Sequence, residues 1–145
     1  MQARQYGYEA AADQLGWACP IYVADTDARA REEAGRAVET LFNDFLRQTF
    51  EMLMPPGYTS IGSMKNFISS RTAFRGGKLT ADALIESGTA LIGSPETVLA
   101  GIERMRERTG FGILVALLQF GILSDDLTRR NMDLFAAEVM PRLRG

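Results

Sequence analysis

The sequence predicts an α/β fold of parallel strands, a partial (β/α)8 TIM-barrel comprising about its last three strands with their helices. Three observations predict it. Ala90 to Val98 runs from a short apolar strand directly into a capped helix. Gly112 to Leu118 is apolar at every position, which is the pattern of a strand covered on both faces. Leu134-Phe135-Ala136-Ala137-Glu138-Val139-Met140-Pro141 then closes the chain as a helix that stops at proline. Alternation of strand and helix implies right-handed parallel crossovers.

Taken in order, Tyr8, Ala11, Ala12 and Leu15 have helical spacing, and Gly16 stops that helix. Trp17 to Ala24 reads as a strand centred on Ile21, Tyr22 and Val23. Asp25-Thr26-Asp27 follows at once. Short polar side chains there accept from the free N–H groups of the next helix, and their charge suits its N-terminus. The same residues could form a metal-binding or catalytic carboxylate pair, but capping accounts for them fully.

A long helix follows, with Ala30, Ala34, Val38, Leu41, Phe42, Phe45, Leu46, Thr49 and Leu53 on one apolar stripe. Pro55-Pro56-Gly57 breaks it. Residues 55–79 form an irregular insertion, with a short helix expected within Met64 to Phe74. Excursions of this length are more often functional than connective; a plain insertion is the other reading.

Thr80 caps a short helix over Ala81 to Glu86, which Gly88 ends. Ala90 to Gly93 is a strand. Ser94-Pro95-Glu96 is a strong helix start: serine caps, proline sits where its missing N–H costs nothing, and glutamate favours the dipole. Val98, Ile102 and Met105 set the buried face, and Thr109-Gly110 ends it. Ser124-Asp125-Asp126 caps the last helix, whose inner stripe is Leu127, Leu134, Phe135 and Val139.

Composition excludes several function classes. The chain has 145 residues, 46% of them apolar, which suits one folded domain or part of one. Net charge is -2 with both signs dispersed, so there is no basic footprint for nucleic acid or an anionic membrane. No apolar run is long enough to span a bilayer, and Met1 to Tyr6 lacks the apolar core of a signal peptide. The lone Cys19 fits a reducing, cytoplasmic compartment and reads as a packed side chain. The chain has no histidine. That excludes Ser-His-Asp and Cys-His chemistry from this chain alone and makes a zinc site unlikely to assemble, so no metal is expected.

Three parallel strands with helices on one side leave the other face and both edges open. A complete barrel takes about 250 residues. The strands are therefore expected to pair with others outside this chain, or the chain to associate with a partner or with itself.

Three stretches resemble the bacterial luciferase-like, flavin-dependent monooxygenases. They are Tyr22 to Ala34 (YVADTDARAREEA), Leu91 to Val98 (LIGSPETV), and Phe120-Gly121 followed by Leu134 to Pro141. Each is weak alone; their order and spacing together are fairly specific, and they cover nearly the whole chain. The resemblance implies the C-terminal part of a barrel, with strands at about the sixth, seventh and eighth positions. It implies reduced FMN as cofactor, or F420 in some branches, and a small organic substrate oxidised with O2. A flavin reductase as supplier of reduced flavin and a homo-oligomer follow from the same likeness. So does inactivity of this portion alone, because the main phosphate contacts lie on earlier strands. A non-catalytic oligomeric module derived from the same fold, and an F420-dependent oxidoreductase fragment, are the alternatives. Gly76-Gly77 is an isolated pair, not a phosphate loop.

In a barrel the C-terminal rim of the strands faces the active site. The rim residues here are Asp25, Thr26, Gly93, Ser94, Leu118, Gln119 and Phe120. Gln119 and Phe120 are expected to face cofactor or substrate, with Gln119 a polar amide ending an apolar strand. Tyr58, in the region where luciferases carry a mobile loop, is expected to line the substrate entrance. No residue presents itself as a general base.

Overall fold

The computed structural model describes residues 5–9, 11–46, 57, 59–63, 65 and 78–143. Strand β1 is Gly16–Val23, and helix α1, Asp27–Thr40, continues into a π-helical turn at Leu41–Phe45. Helix α2 is Ala81–Glu86, strand β2 Leu91–Gly93, and helix α3 Pro95–Thr109. Strand β3 is Ile113–Leu117, and helix α4, Asp125–Leu134, continues through a π-helical turn at Phe135–Val139 to Leu143. The expected caps form: Thr26, Thr80, Ser94 and Ser124 each accept from the backbone N–H three residues on.

One expected helix is absent. In place of a helix over Tyr8 to Leu15 there is a single 3-10 turn, Ala12–Gln14. The Ala12 carbonyl accepts from Gly112 N at 2.7 Å, and the Leu15 carbonyl from Ile113 N at 3.2 Å. The backbone that a helix would use internally is instead spent on the start of β3. The expected helix within Met64 to Phe74, and the part of the long helix beyond Leu46 up to Leu53, lie outside the described residues.

The sheet is parallel, in the order β2-β1-β3. Consecutive barrel strands would lie in chain order; here the first strand is central. β1 is long enough to divide its two edges: Gly16 to Pro20 pair with β3, and Ile21 to Val23 pair with β2. The two crossovers therefore move across the sheet in opposite directions. With a common right hand they place their helices on opposite faces, not on one side as expected.

Alternate residues of β1 confirm this. Tyr22 and Ala24, with Ile92 of β2, pack against Ala30, Ala34 and Val38 of α1. Cys19, Ile21 and Val23, with Leu91, pack against Val98 and Ile102 of α3 and against Phe135 and Val139. Trp17 extends this second layer, its ring 5.2 Å from that of Phe111.

β3 departs from the expected two-sided cover. Leu114 and Ala116 join the α3 layer, while Ile113, Val115 and Leu117 are 46%, 46% and 41% exposed. Among the described residues that face is only partly overhung, at Leu117, by Leu41, Phe42 and Phe45 across a cavity. The apolar run was legible as a doubly covered strand; the second cover is not in this part of the fold.

Asn131 holds the centre together. It is fully buried on α4. Its Oδ1 accepts from Val23 N at 2.8 Å, and its Nδ2 donates to the carbonyls of Ile21 and Leu118, each at 2.8 Å. β3 leaves β1 after Leu117, so the β1 edge at Ile21 and Val23 has no strand beside it. One carboxamide takes the strand's place and ties the end of β3 to it. Asn131→Leu would strand two carbonyls and one N–H, and is expected to lower the unfolding free energy by about 3 kcal/mol in urea denaturation. Asn131→Asp, the same shape, should be as damaging at neutral pH because it turns a carboxylate oxygen toward two carbonyl oxygens.

Candidate functional site

Two cavities adjoin β1, one beside its first half and the end of β3 and one at its C-terminal end, and they differ in chemistry. The larger is about 730 Å³. Ala18 and Pro20 of β1 form one wall, beside Trp17. Leu41, Phe42 and Phe45, from the turn that ends α1, form a second. Leu117, Gln119 and Phe120, at and just past the end of β3, form a third. Phe45 is 61% exposed because its ring faces this opening and not the sheet.

Gly121 sets the geometry of the third wall. Its φ of +56° is a left-handed conformation, and a Cβ there would run into the Ala37 backbone of α1. Only glycine lets the chain after Phe120 turn against the helix. Phe120 is consequently buried under α1, whereas Gln119 is exposed and its amide has no partner among the described residues.

The smaller cavity, about 360 Å³, is lined by Asp25, Arg29, Arg130 and Asp133 around the end of β1. Its two arginines are already paired. Arg29 meets Asp25 at 2.6 Å and Glu33 at 3.0 Å, and Arg130 meets Glu33 at 2.9 Å. The Tyr22 hydroxyl donates to Glu33 at 2.8 Å. Burial works to raise the Glu33 pKa; the bonds from Tyr22, Arg29 and Arg130 outweigh it and hold the carboxyl below its usual range. Burial first, then the bond to Glu33, pushes the Tyr22 phenol well above its ordinary value.

Asp25-Thr26-Asp27 serves the helix start. Thr26 caps α1, Asp25 pairs with Arg29, and Asp27 reaches the next unit. Asp27 accepts from Ser94 N at 2.7 Å and from the Thr97 hydroxyl at 3.0 Å, clipping the start of α1 to the start of α3. Gly93 makes room for the clip: a Cβ there would lie 2.7 Å from Thr97 Cγ2 and 2.8 Å from Asp27 Oδ1. Among the described residues no group of three or more His, Cys, Asp or Glu is placed to hold a metal.

Of the residues expected at the site, Gln119 and Phe120 come together at the larger cavity. Tyr58 lies outside the described residues. Leu118 is held at its carbonyl by Asn131 and lies in the α3 layer, not in the cavity lining. Trp17, Phe42 and Phe45 were not singled out as site residues. For Phe42 and Phe45 the signal was an apolar stripe on α1 that continues past the last turn the sheet can cover. Cys19 is inert by position: burial pushes its thiol up to about 12.

No family model matches the chain, and no curated protein matches it by sequence. Solved structures do match in fold. The monooxygenase RslO1 from Streptomyces bottropensis superposes with a TM-score of 0.64 at 18% identity, over 97% of this chain and 34% of that one. The oxygenating constituent of 3,6-diketocamphane monooxygenase from Pseudomonas putida is a type II Baeyer-Villiger monooxygenase solved in complex with FMN. It superposes with a TM-score of 0.62 at 19% identity, over 97% and 36%. The chain thus has the fold of part of these monooxygenases and spans about a third of their length. No helix among the described residues is long and apolar enough to cross a membrane.

Two outcomes follow from the site chemistry. The Ser94 N–H bond, then the Thr97 hydroxyl, hold the Asp27 pKa below its ordinary 3.8. A depressed carboxylate stabilises the fold above its unfolded value, and that contribution is lost as pH falls through the folded one. Asp27→Asn is expected to flatten the acid limb of stability below about pH 4 in urea titrations repeated across pH. Cys19 should resist a thiol-specific disulfide reagent at pH 8 in the native protein and react at once in denaturant, read by absorbance.

Proposed function

We propose that this chain is the C-terminal part of a flavin-dependent, luciferase-like monooxygenase that oxidises a small organic substrate with reduced flavin and O2. The observation that carries the reading is the superposition of nearly the whole chain on a third of two monooxygenases, one of them holding FMN. The uncovered face of β3 supports it, since the remaining two thirds of such a fold would lie against that face.

The residues present fit part of a flavin. The larger cavity has the volume and aromatic walls for a planar ring. They do not fit its phosphate: no Lys or Arg among the described residues lines that cavity, and Arg29 and Arg130 are engaged by carboxylates. The helix starts of α1, α3 and α4, which could receive a phosphate, do not line that cavity either. In this reading the chain contributes pocket wall and water exclusion, other parts of the enzyme hold the phosphate, and the chain alone is inactive. When bound, reduced flavin supplies the oxygen chemistry. FMN is the proposed cofactor, with F420 as the alternative, and a flavin reductase in the cytoplasm would supply it.

A second reading is a non-catalytic, self-associating module. The specific observation favouring it is the row Ile113, Val115 and Leu117, which a second copy would cover.

The deciding experiment pairs two measurements on protein from the source cells. Under the enzyme reading, intact mass is that of a barrel of about 250 residues or more, and photoreduced FMN drives substrate-dependent oxygen uptake. A native mass equal to this chain, with a stable oligomer and no flavin binding, would establish the module instead.

A further inference from the structure

We propose that the larger cavity takes an uncharged, apolar organic molecule, oriented by one amide contact from Gln119, and discriminates against carboxylates, sulfonates and phosphates. This names a substrate class for the function proposed above and rests on that reading of the cavity as the substrate side of the fold.

Charge placement carries the argument. The walls contributed by Phe42, Phe45, Pro20 and Leu117 are carbon surfaces, and no charged side chain among the described residues lines the cavity. Arg29 and Arg130, at the end of β1, line the smaller cavity and are bound to Asp25 and Glu33. None of the helix starts of α1, α3 and α4, whose N–H groups could receive an anion, lines this cavity. An anion entering the larger cavity would shed water and meet no counter-charge, which is costly. A cation would fare no better.

The polar groups that remain set orientation. Thr89 shares its hydroxyl with Ser87 at 2.8 Å. The Gln119 amide is unengaged among the described residues, and it can donate to a carbonyl or accept from a hydroxyl. At about 730 Å³ the cavity is within the range of small-molecule sites.

Binding is read by titration calorimetry, because the Trp17 ring packs on Phe111 in the α3 layer and not into the cavity. The full chain is titrated with cyclohexyl methyl ketone and with cyclohexanecarboxylate, which differ by a methyl group against a charged oxygen. The ketone is expected to saturate the heat of binding at a concentration about ten-fold below the carboxylate. Leu117→Lys, at an exposed position, should reverse that order, and Gln119→Ala should weaken the ketone. Equal or tighter binding of the carboxylate to the unmodified chain overturns the proposal, as does no saturable change with either probe. FMN is titrated on the same samples by its own fluorescence. Ketone preference without FMN binding would sink the flavin reading and leave the uncharged-ligand site. FMN binding with carboxylate preference would do the reverse.

Discussion

The fold depends on one carboxamide. β1 must serve two strands that reach it from opposite sides and at different heights, β3 along Gly16 to Pro20 and β2 along Ile21 to Val23. That leaves a short stretch of its edge bare inside the protein, where an unpaired N–H or carbonyl costs free energy comparable to a lost hydrogen bond. Asn131 fills the gap with one acceptor and two donors, all used. The end of β3, from which Gln119 and Phe120 continue, is fixed relative to β1 by the same group. The position of the cavity wall therefore follows from a backbone accounting problem solved by a residue on the last helix.

The surroundings of β1 are sorted by charge. Ionic groups are gathered at the end of β1, where Glu33 collects Tyr22, Arg29 and Arg130, and where Asp27 bridges two helix starts. The space between β1, β3 and the end of α1 is left to carbon surfaces. The two arrangements support each other. Arg29 and Arg130, held by Asp25 and the largely buried carboxylate of Glu33, do not line the apolar cavity, and the cavity keeps its low polarity. Gly121 and Gly93 permit the close approaches on which each arrangement rests.

Much of the element order could be read from residue pattern, because caps and breakers act locally. Thr26, Thr80, Ser94-Pro95 and Ser124 start helices by hydrogen bonds that span three residues, and Gly110 ends α3 in the left-handed conformation. The helix expected at Tyr8 to Leu15 failed for a non-local reason: Gly112 and Ile113, about a hundred residues later, compete for its carbonyls. The site was half legible. Gln119 drew notice as a polar interruption of an apolar run, but Phe42 and Phe45 looked like ordinary inward-facing helix residues until the sheet was seen to stop short of them.

The sequence by itself determined that the chain is α/β, where its capped helices begin, and that histidine chemistry cannot come from this chain alone. These are properties of spacing and composition, and they hold whatever the chain packs against. Only the tertiary structure decided that the first strand is central, that helices lie on both faces, and that Asn131 stands in for a strand. It also decided that charge and apolar surface part into two cavities. Each of those depends on which distant segment meets which backbone edge, and a partner a hundred residues away leaves no periodicity in the sequence to announce it.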